Sequence, residues 1–433
     1  MQLRYVFRLD PGPAQCEALA RAFGCARVVF NDGLRAREGA RAAGVPMPSM
    51  AELSRTVITE AKRAPGRAWL GEVSAVVLQQ SLRDLDAAYR NFFAGLRGDR
   101  ARVGPPRLKS RKDARQAVRF TANARWSITP TGRLRLPKIG DIRVRWSRAL
   151  PSTPSSVTII KDAAGRIFAS FVVETTETSL PETGAEVGID LGLAHFAVLS
   201  DGTKHTSPRL LRRAEKKLKK LQKELSRKRK GSSNRVKARL KVARQHAKVA
   251  DARREFHHQL STRIIRENQA VAVEDLAVRG LVRTRMAKSV HDAGWSSFIS
   301  MLEYKARLYG RVFTRIGRFE PTSQVCSACG VKDGPKPLHV RTWTCAACGT
   351  VLDRDVNAAC NILAAGRAER LNASQSAEKT RTPVPAPREE AGSTGSQSQP
   401  QWGDDGSRPG APMAVSTALR TPTPQKTYSP KKK

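Results

Sequence analysis

The order of apolar and polar positions divides the chain into stretches with different periods. Residues 1–9 alternate, with Leu3, Tyr5, Phe7 and Leu9 in phase, which predicts a strand stopped by Pro11, Gly12 and Pro13. A helical region follows. Its clearest element spans 75–95, where Leu78, Leu82, Leu85, Tyr89 and Phe92 recur at three- and four-residue steps. Basic sequence containing Pro and Gly over 97–116 closes that region. Over 117–176 the period falls to two. Arg133 and Arg135 alternate with Leu134 and Leu136, and Arg143, Arg145 and Ser147 alternate with Ile142, Val144 and Trp146, with a turn at Gly140-Asp141. Such a hairpin buries one face and turns its guanidinium groups outward, either as a solvated edge or as a face that tracks phosphates. Strands at 156–160 and 167–174 complete the pattern of a small antiparallel barrel.

From 187 the pattern becomes α/β. Val187-Gly188-Ile189-Asp190 reads as a buried strand, followed by a hairpin through Asp201-Gly202, and Ala270-Val271-Ala272-Val273-Glu274 reads as a second. Between them, residues 209–268 are helical. Leu211, Ala214, Leu218, Leu221 and Leu225 make one apolar stripe, Gly231-Ser232-Ser233 turns the chain, and Val236, Leu240, Ala243, Ala247 and Ala250 make the returning stripe. Beyond about 368 the composition shifts to Pro, Ser, Gly, Gln and Thr, with too few large apolar residues to offset ordering entropy, so a disordered tail is expected over 368–433.

Charge changes this picture most. The 433 residues carry 78 Lys and Arg against 38 Asp and Glu, a formal net charge of +40. A compact chain this basic needs a polyanion, and nucleic acid rewards the composition through phosphate contacts and counterion release. The helical hairpin concentrates the charge: from Arg209 to Arg254 there are twenty Lys or Arg and three acids. Mixed-sign charge is the rule on a merely solvated helix, so this one-signed surface calls for phosphate. A membrane-surface role would need an amphipathic anchor, and none is evident. No apolar run approaches ~20 residues, and Met1–Asp10 is too charged for an export signal, which points to a cytoplasmic, nucleoid-associated protein.

Four of the seven cysteines form two pairs, Cys326-x2-Cys329 and Cys345-x2-Cys348, fifteen residues apart. Two such knuckles can place four thiolates around one Zn²⁺, with Gly330 and Gly349 supplying the tight turns. A closed four-cysteine site is structural, not catalytic. Cys16, Cys25 and Cys360 lack such spacing and are read as small core residues.

Three acids stand where a polar residue needs a task. Asp190 and Glu274 each end an apolar strand, and Asp355 opens the helical run 355–363. If the strands are neighbours, the three carboxylates meet at one edge, where a pair of divalent cations would resolve their repulsion and support phosphodiester chemistry. Asp353 is an alternative to Asp355. The Gly-Ile-Asp-Leu-Gly run also occurs as a phosphate loop in actin-like ATPases, and Glu274 could simply cap the next element.

These residues resemble a known family. Val187–Leu193 (VGIDLGL) is similar to the first RuvC motif of the TnpB proteins of bacterial insertion sequences. Val273–Leu281 (VEDLAVRGL), with Asp292-Ala293-Gly294-Trp295 after it, resembles the second. Thr322-Ser323-Gln324 before the first knuckle and Asp353–Ala359 (DRDVNAA) after the second resemble the third. The likeness extends to Phe23–Arg27 and Gln79–Leu82, covering about 1–367.

The resemblance implies an RNA-guided DNA endonuclease related to the miniature type V CRISPR effectors, cutting beside a short flanking motif. It implies a bilobed α/β fold with a wedge-like β-barrel (1–10 and 105–182), a helical recognition region (11–104) and an RNase H-like RuvC domain (183–367). That domain would carry the basic hairpin (209–268) and a zinc ribbon (322–352). Asp190, Glu274 and Asp355 then match the acids that hold Mg²⁺ (or Mn²⁺), and Cys326, Cys329, Cys345 and Cys348 match the zinc ligands. The implied partners are a guide RNA from the transposon end and double-stranded target DNA, with base pairing supplying most of the specificity. Gln80, Thr121 and Asn123 are polar candidates for reading the flanking motif, and Arg143 and Arg145 for nucleic-acid contact; ordinary surface positions are the alternative. A nuclease-independent RNA-guided regulator or a transposition accessory protein is the competing function.

Overall fold

The computed structural model describes residues 1–379 except Ala114 and Leu338. The first sheet is antiparallel and comprises β1 (Gln2–Asp10), β2 (Gln116–Thr121), β3 (Ser127–Ile128), β4 (Arg133–Leu136), β5 (Gly140–Arg145), β6 (Ser156–Lys161) and β7 (Ile167–Glu174), in the order β2-β6-β7-β1-β5-β4-β3. It is open at β2 and β3. It nevertheless curls like a barrel, because Phe120 of the edge strand β2 shares one core with Leu134 and Ile142 near the other edge, around Phe7 and Phe171. The predicted alternation holds on β4 and β5, where the leucines, Ile142 and Val144 are buried and the arginines exposed.

The 30-residue helix Pro13–Ala42 and the helix Ala75–Arg97 pack on this sheet and on each other, burying Leu19, Phe23, Leu78, Leu82 and Leu85. The second helix ends at Gly98, whose φ of +90° terminates it in the left-handed region.

The second sheet is mixed. Its strands β8 (Glu186–Asp190), β9 (His195–Leu199), β10 (Lys204–Thr206), β11 (Ala270–Glu274) and β12 (Val312–Ile316) run in the order β10-β9-β8-β11-β12. β8, β11 and β12 are parallel, with Val273 level with Ile189 and Glu274 level with Ile316. Both faces are covered, which is why β8 and β11 read as unbroken apolar runs. Val187, Ile189, Val271 and Val273 face Leu260, Ile264, Phe298 and Leu302 of helices Ser233–Glu267 and Trp295–Leu308. The opposite face meets the helix Arg354–Lys379. There a Cβ on Gly188 would lie 2.1 Å from the Ala359 carbonyl oxygen, and one on Gly366 would lie 2.6 Å from Ala272 Cβ. Gly188 is therefore a close-packing residue that lets the helix cross β8 at backbone contact, not part of a phosphate loop.

The basic hairpin forms as Leu210–Ser226 and Ser233–Glu267, with Gly231 at φ +86° and the Ser232 hydroxyl accepting from the Arg235 amide, 3.2 Å. The returning stripe differs from the expected one: its buried positions are Ala238 and Val249, while Val236 is 53% exposed. The Val236, Leu240 and Ala243 side instead looks onto the β6–β7 turn, where Leu240 Cδ1 comes within 3.5 Å of a Cβ on Gly165. A helix lying between two neighbours has two apolar edges, and the sequence stripe ran along the weaker one. Two further expectations change. Cys25 is buried but Cys16 is exposed. The helix Arg354–Lys379 runs past 367, so the expected tail cannot start at 368; the remainder of 368–433 lies outside the described residues.

The Asp292-Ala293-Gly294-Trp295 stretch is a junction. Buried Asp292 caps the first hairpin helix, accepting from the amides of Leu211 (2.7 Å) and Arg212 (3.2 Å). Gly294 has φ +68°, Trp295 is buried, and the Ala293 carbonyl accepts from His257 Nε2 at 2.9 Å. His257 is 1% exposed among Phe196, Phe256 and Phe298, and burial pulls its pKa down to about 4. The folded ring is thus neutral where the unfolded ring, near 6.5, is protonated. The unfolded state binds the extra proton, so stability falls as pH drops from about 6.5 towards 4, by about 3 kcal/mol in all. Urea unfolding at pH 7.5, 6 and 5 should show this loss, and His257→Gln, which retains a donor for Ala293, should flatten it. An unchanged pH slope in the variant would assign the loss to other groups.

Candidate metal centres and nucleic-acid surface

Parallel pairing of β8 and β11 brings Asp190 and Glu274 to the same sheet edge. The third acid arrives on the first turn of the helix Arg354–Lys379, which the Gly188 contact presses onto β8. Burial, followed by the negative charges of Asp355 and then Glu274, pushes the Asp190 carboxyl up to about 7, against the pull of Arg354 and Arg341. Burial and neighbouring Asp275 raise Glu274 as well. Carboxylates held together against their own repulsion are the electrostatic signature of a cation site. Arg341 Nη1 lies 3.1 and 3.4 Å from the two Asp355 oxygens and offsets part of this charge.

Asp353 has a different task. Lys204 Nζ sits 2.6 Å from its Oδ2, and its Oδ1 accepts from the amides of Asp355 (3.1 Å) and Val356 (3.0 Å), capping the helix. Burial favours its neutral form, but the Lys204 contact and these amides outweigh it and hold the carboxyl below its usual range.

The four cysteines form a second centre. Among the described residues they are the group of His, Cys, Asp or Glu side chains whose ligand atoms all lie within 4.8 Å of one another. Cys326 Sγ is 3.7 Å from Cys348 Sγ, and Cys329 Sγ is 3.7 Å from Cys345 Sγ. A tetrahedron with ~2.3 Å metal–sulfur bonds has edges of about 3.8 Å, so the thiols fit zinc. The two knuckles are built alike. Gly330 and Gly349, at φ +75° and +71°, donate to the carbonyls of Cys326 and Cys345 at 2.9 Å, and those cysteines' amides donate to Val331 and Thr350 at 2.9 Å. The three acids do not form such a group within the 4.8 Å limit.

Two asparagines join the centres. Asn357, 1% exposed, accepts from the Ser327 amide (2.8 Å) and donates to the Val325 carbonyl (2.8 Å). Asn361 Nδ2, one turn later, donates to the carbonyls of Thr322 (2.8 Å) and Val325 (2.7 Å). With β13 (Thr342–Thr344) and β14 (Val351–Asp353), the ribbon is thereby fastened to the helix that carries Asp355. Sequence reading passed over both asparagines; their i, i+4 spacing directly after Asp355 was the available signal.

The remaining candidates are dispersed. Gln80 is 5% exposed and lines a cleft of about 180 Å³ with Arg27, Lys109, Arg115 and Arg119, which leaves little of its amide for a base edge. Thr121 Oγ1 donates to Asn123 Oδ1 at the end of β2, 2.5 Å. Arg145 is engaged by Asp10 at 2.6 Å, so its charge is partly spent within the sheet. Arg143 is exposed and lies directly opposite Arg133. On its other side Asp10 of β1 stands opposite Arg143 and offsets part of the repulsion between the two arginines. No helix among the described residues is long and apolar enough to cross a membrane.

The family model described as "Probable transposase" matches residues 170–285, a Cas12f1-like TNB domain matches 295–362, and a model described as a helix-turn-helix domain matches 1–44, where the fold is one strand and one long helix. A Streptomyces pristinaespiralis protein named "Putative RNA-guided DNA endonuclease" is 46% identical over 84% of this chain and 89% of its own. Its Escherichia coli K12 counterpart InsQ, named likewise, is 32% identical over 84% and 92%. Among solved structures, the Cas12f1–sgRNA–target DNA complex aligns with 80% of this chain and 82% of the Cas12f1 chain, at 15% identity and a TM-score of 0.49. The chain belongs to the TnpB family, the OrfB proteins of IS605-type insertion sequences.

Proposed function

We propose that this protein is an RNA-guided DNA endonuclease of the RuvC type that hydrolyses phosphodiesters at the Asp190–Glu274–Asp355 cluster with Mg²⁺ or Mn²⁺. The observation that carries this reading is the Asp190 carboxyl at the sheet edge it shares with Glu274, raised to about 7 by burial and then by the negative charges of Asp355 and Glu274. Relatives of 46% and 32% identity bear the endonuclease name and support it. Asp190, Glu274 and Asp355 would hold the ions, which when bound activate water and stabilise the leaving oxygen. Arg341, beside Asp355, is placed to meet a phosphate oxygen. Zinc in the four-cysteine site keeps the ribbon folded, and through Asn357 and Asn361 keeps Asp355 in place. The basic hairpin and the β4–β5 face supply phosphate contacts to the guide RNA from the transposon end and to target DNA.

The test is to purify the protein from cells carrying its native locus and sequence the RNA that comes with it. The complex should then cut duplex DNA matching that RNA only when a divalent ion is present. A complex that holds RNA and binds matching DNA, yet never nicks it in Mg²⁺ or Mn²⁺, would favour the regulator reading.

A further inference from the structure

Phe319 is the most solvent-exposed large apolar side chain among the described residues, at 92%. Isolated exposed leucines or valines are ordinary, but an aromatic ring left almost wholly in water beside a reactive centre is not. Its position is closely determined. β12 ends at Ile316, level with Glu274, and the Asp275 amide donates to the Ile316 carbonyl at 3.2 Å. Three residues later comes Phe319, no more than about 10 Å of chain from that level.

The loop that presents the ring is tied at both ends. Arg318 Nη2 and Nε donate to the carboxylate (2.5 Å) and carbonyl (3.2 Å) of Asp275, the residue next to Glu274. On the other side the Thr322 amide donates to the Glu320 carbonyl at 2.8 Å, and the Thr322 carbonyl accepts from Asn361 on the helix that carries Asp355. The ring is thus held on a pedestal fastened to both sides of the acid cluster. It makes no ring–ring or cation–π contact among the described residues. Within a duplex, a base lies shielded between its neighbours, so a fixed, bare ring can stack only on a base that has left the helix.

We propose that Phe319 is a stacking platform for one unpaired nucleobase of the strand being cut, setting the register of the scissile phosphate over the acid cluster. The proposal rests on the endonuclease reading and adds the residue that positions the substrate.

The experiment uses the full chain in its guide-RNA complex, with target strands carrying a single abasic nucleotide walked across the cut region. Phe319→Ala should lower kcat/KM by about tenfold to a hundredfold, the usual worth of one base–aromatic stack. Phe319→Trp should restore cleavage, and Phe319→Leu, equally apolar but without a π face, should not. At one abasic position the unmodified protein should lose as much as Phe319→Ala does, and the variant should lose nothing further. Wild-type rates for Phe319→Ala, full rescue by Phe319→Leu, or additive losses at every abasic position would each overturn the proposal. So would a change in molar mass with cleavage intact, which would assign the ring to a protein contact. Those outcomes leave the nuclease reading standing. A wild-type complex that binds target and cuts none removes both.

Discussion

Asp190→Ala is expected to lower DNA cleavage by about 10³-fold or more while leaving binding of guide RNA and target intact. The magnitude follows from the several kcal/mol that bound metal contributes to stabilising charge in the transition state, at about 1.4 kcal/mol per decade of rate. Binding should survive because the basic surfaces lie on other elements, the hairpin Leu210–Glu267 and the β4–β5 arginines. Stability should also survive. Asp190 is crowded by Asp355 and Glu274, so removing its charge relieves repulsion, and the melting temperature without divalent ions should stay level or rise. The informative control is Asp353→Ala, which removes the Lys204 contact and the helix cap. It should cost about 1 kcal/mol of stability while retaining most of the cleavage rate. Cleavage of end-labelled DNA, with a parallel gel-shift measurement, checks both. Were the Asp190 variant to cut within tenfold of wild type, or the Asp353 variant to be the inactive one, the metal site would be misassigned.

Removing one zinc ligand should have the second largest effect, and it should reach the acids. Cys345→Ser leaves three thiolates and a buried hydroxyl in a ribbon whose own core is little more than Cys326, Trp343 and Cys345. Structural zinc supplies roughly 10–16 kcal/mol to small four-ligand modules, far more than such a core can. The ribbon is expected to unfold. With it go the Thr322 and Val325 carbonyls that hold Asn357 and Asn361, and the strand that brings Arg341 to Asp355. Zinc content should fall from about one per chain to near zero and cleavage should be lost, while far-UV dichroism changes little because both large sheets have separate cores. A chelator strong enough to strip wild-type zinc should reproduce the variant. A Cys345→Ser protein with full cleavage and one tightly held zinc would show that the ribbon and the acids are independent.

How much of this could be read from the residues differs from element to element. The two-residue period of β4 and β5 named their buried and exposed faces correctly, because alternation is a local property of extended backbone. Cys326, Cys329, Cys345 and Cys348 were equally legible, since two knuckles with following glycines bring their thiols together through local turns. The returning helix of the hairpin was read along the edge that faces the β6–β7 turn, whereas its buried positions Ala238 and Val249 lie on another edge, which helical periodicity did not single out. Gln80 was read as a polar candidate for the flanking motif, and only the packing of its helix beside β2 shows the side chain to be buried.

The amino-acid order by itself determined the strands that end in Asp190 and Glu274, the helix that begins near Asp355, the paired knuckles and the one-signed charge of the hairpin. Each of these depends on residues near one another in the chain. Tertiary structure alone decided that β8 and β11 lie parallel and adjacent, that Gly188 admits a helix at backbone contact, that Asp353 is engaged by Lys204, and that Asn357 and Asn361 tie the ribbon to the acids. Those relations join segments separated by tens to well over a hundred residues, and strand pairing and close packing are chosen by what the whole core can bury together.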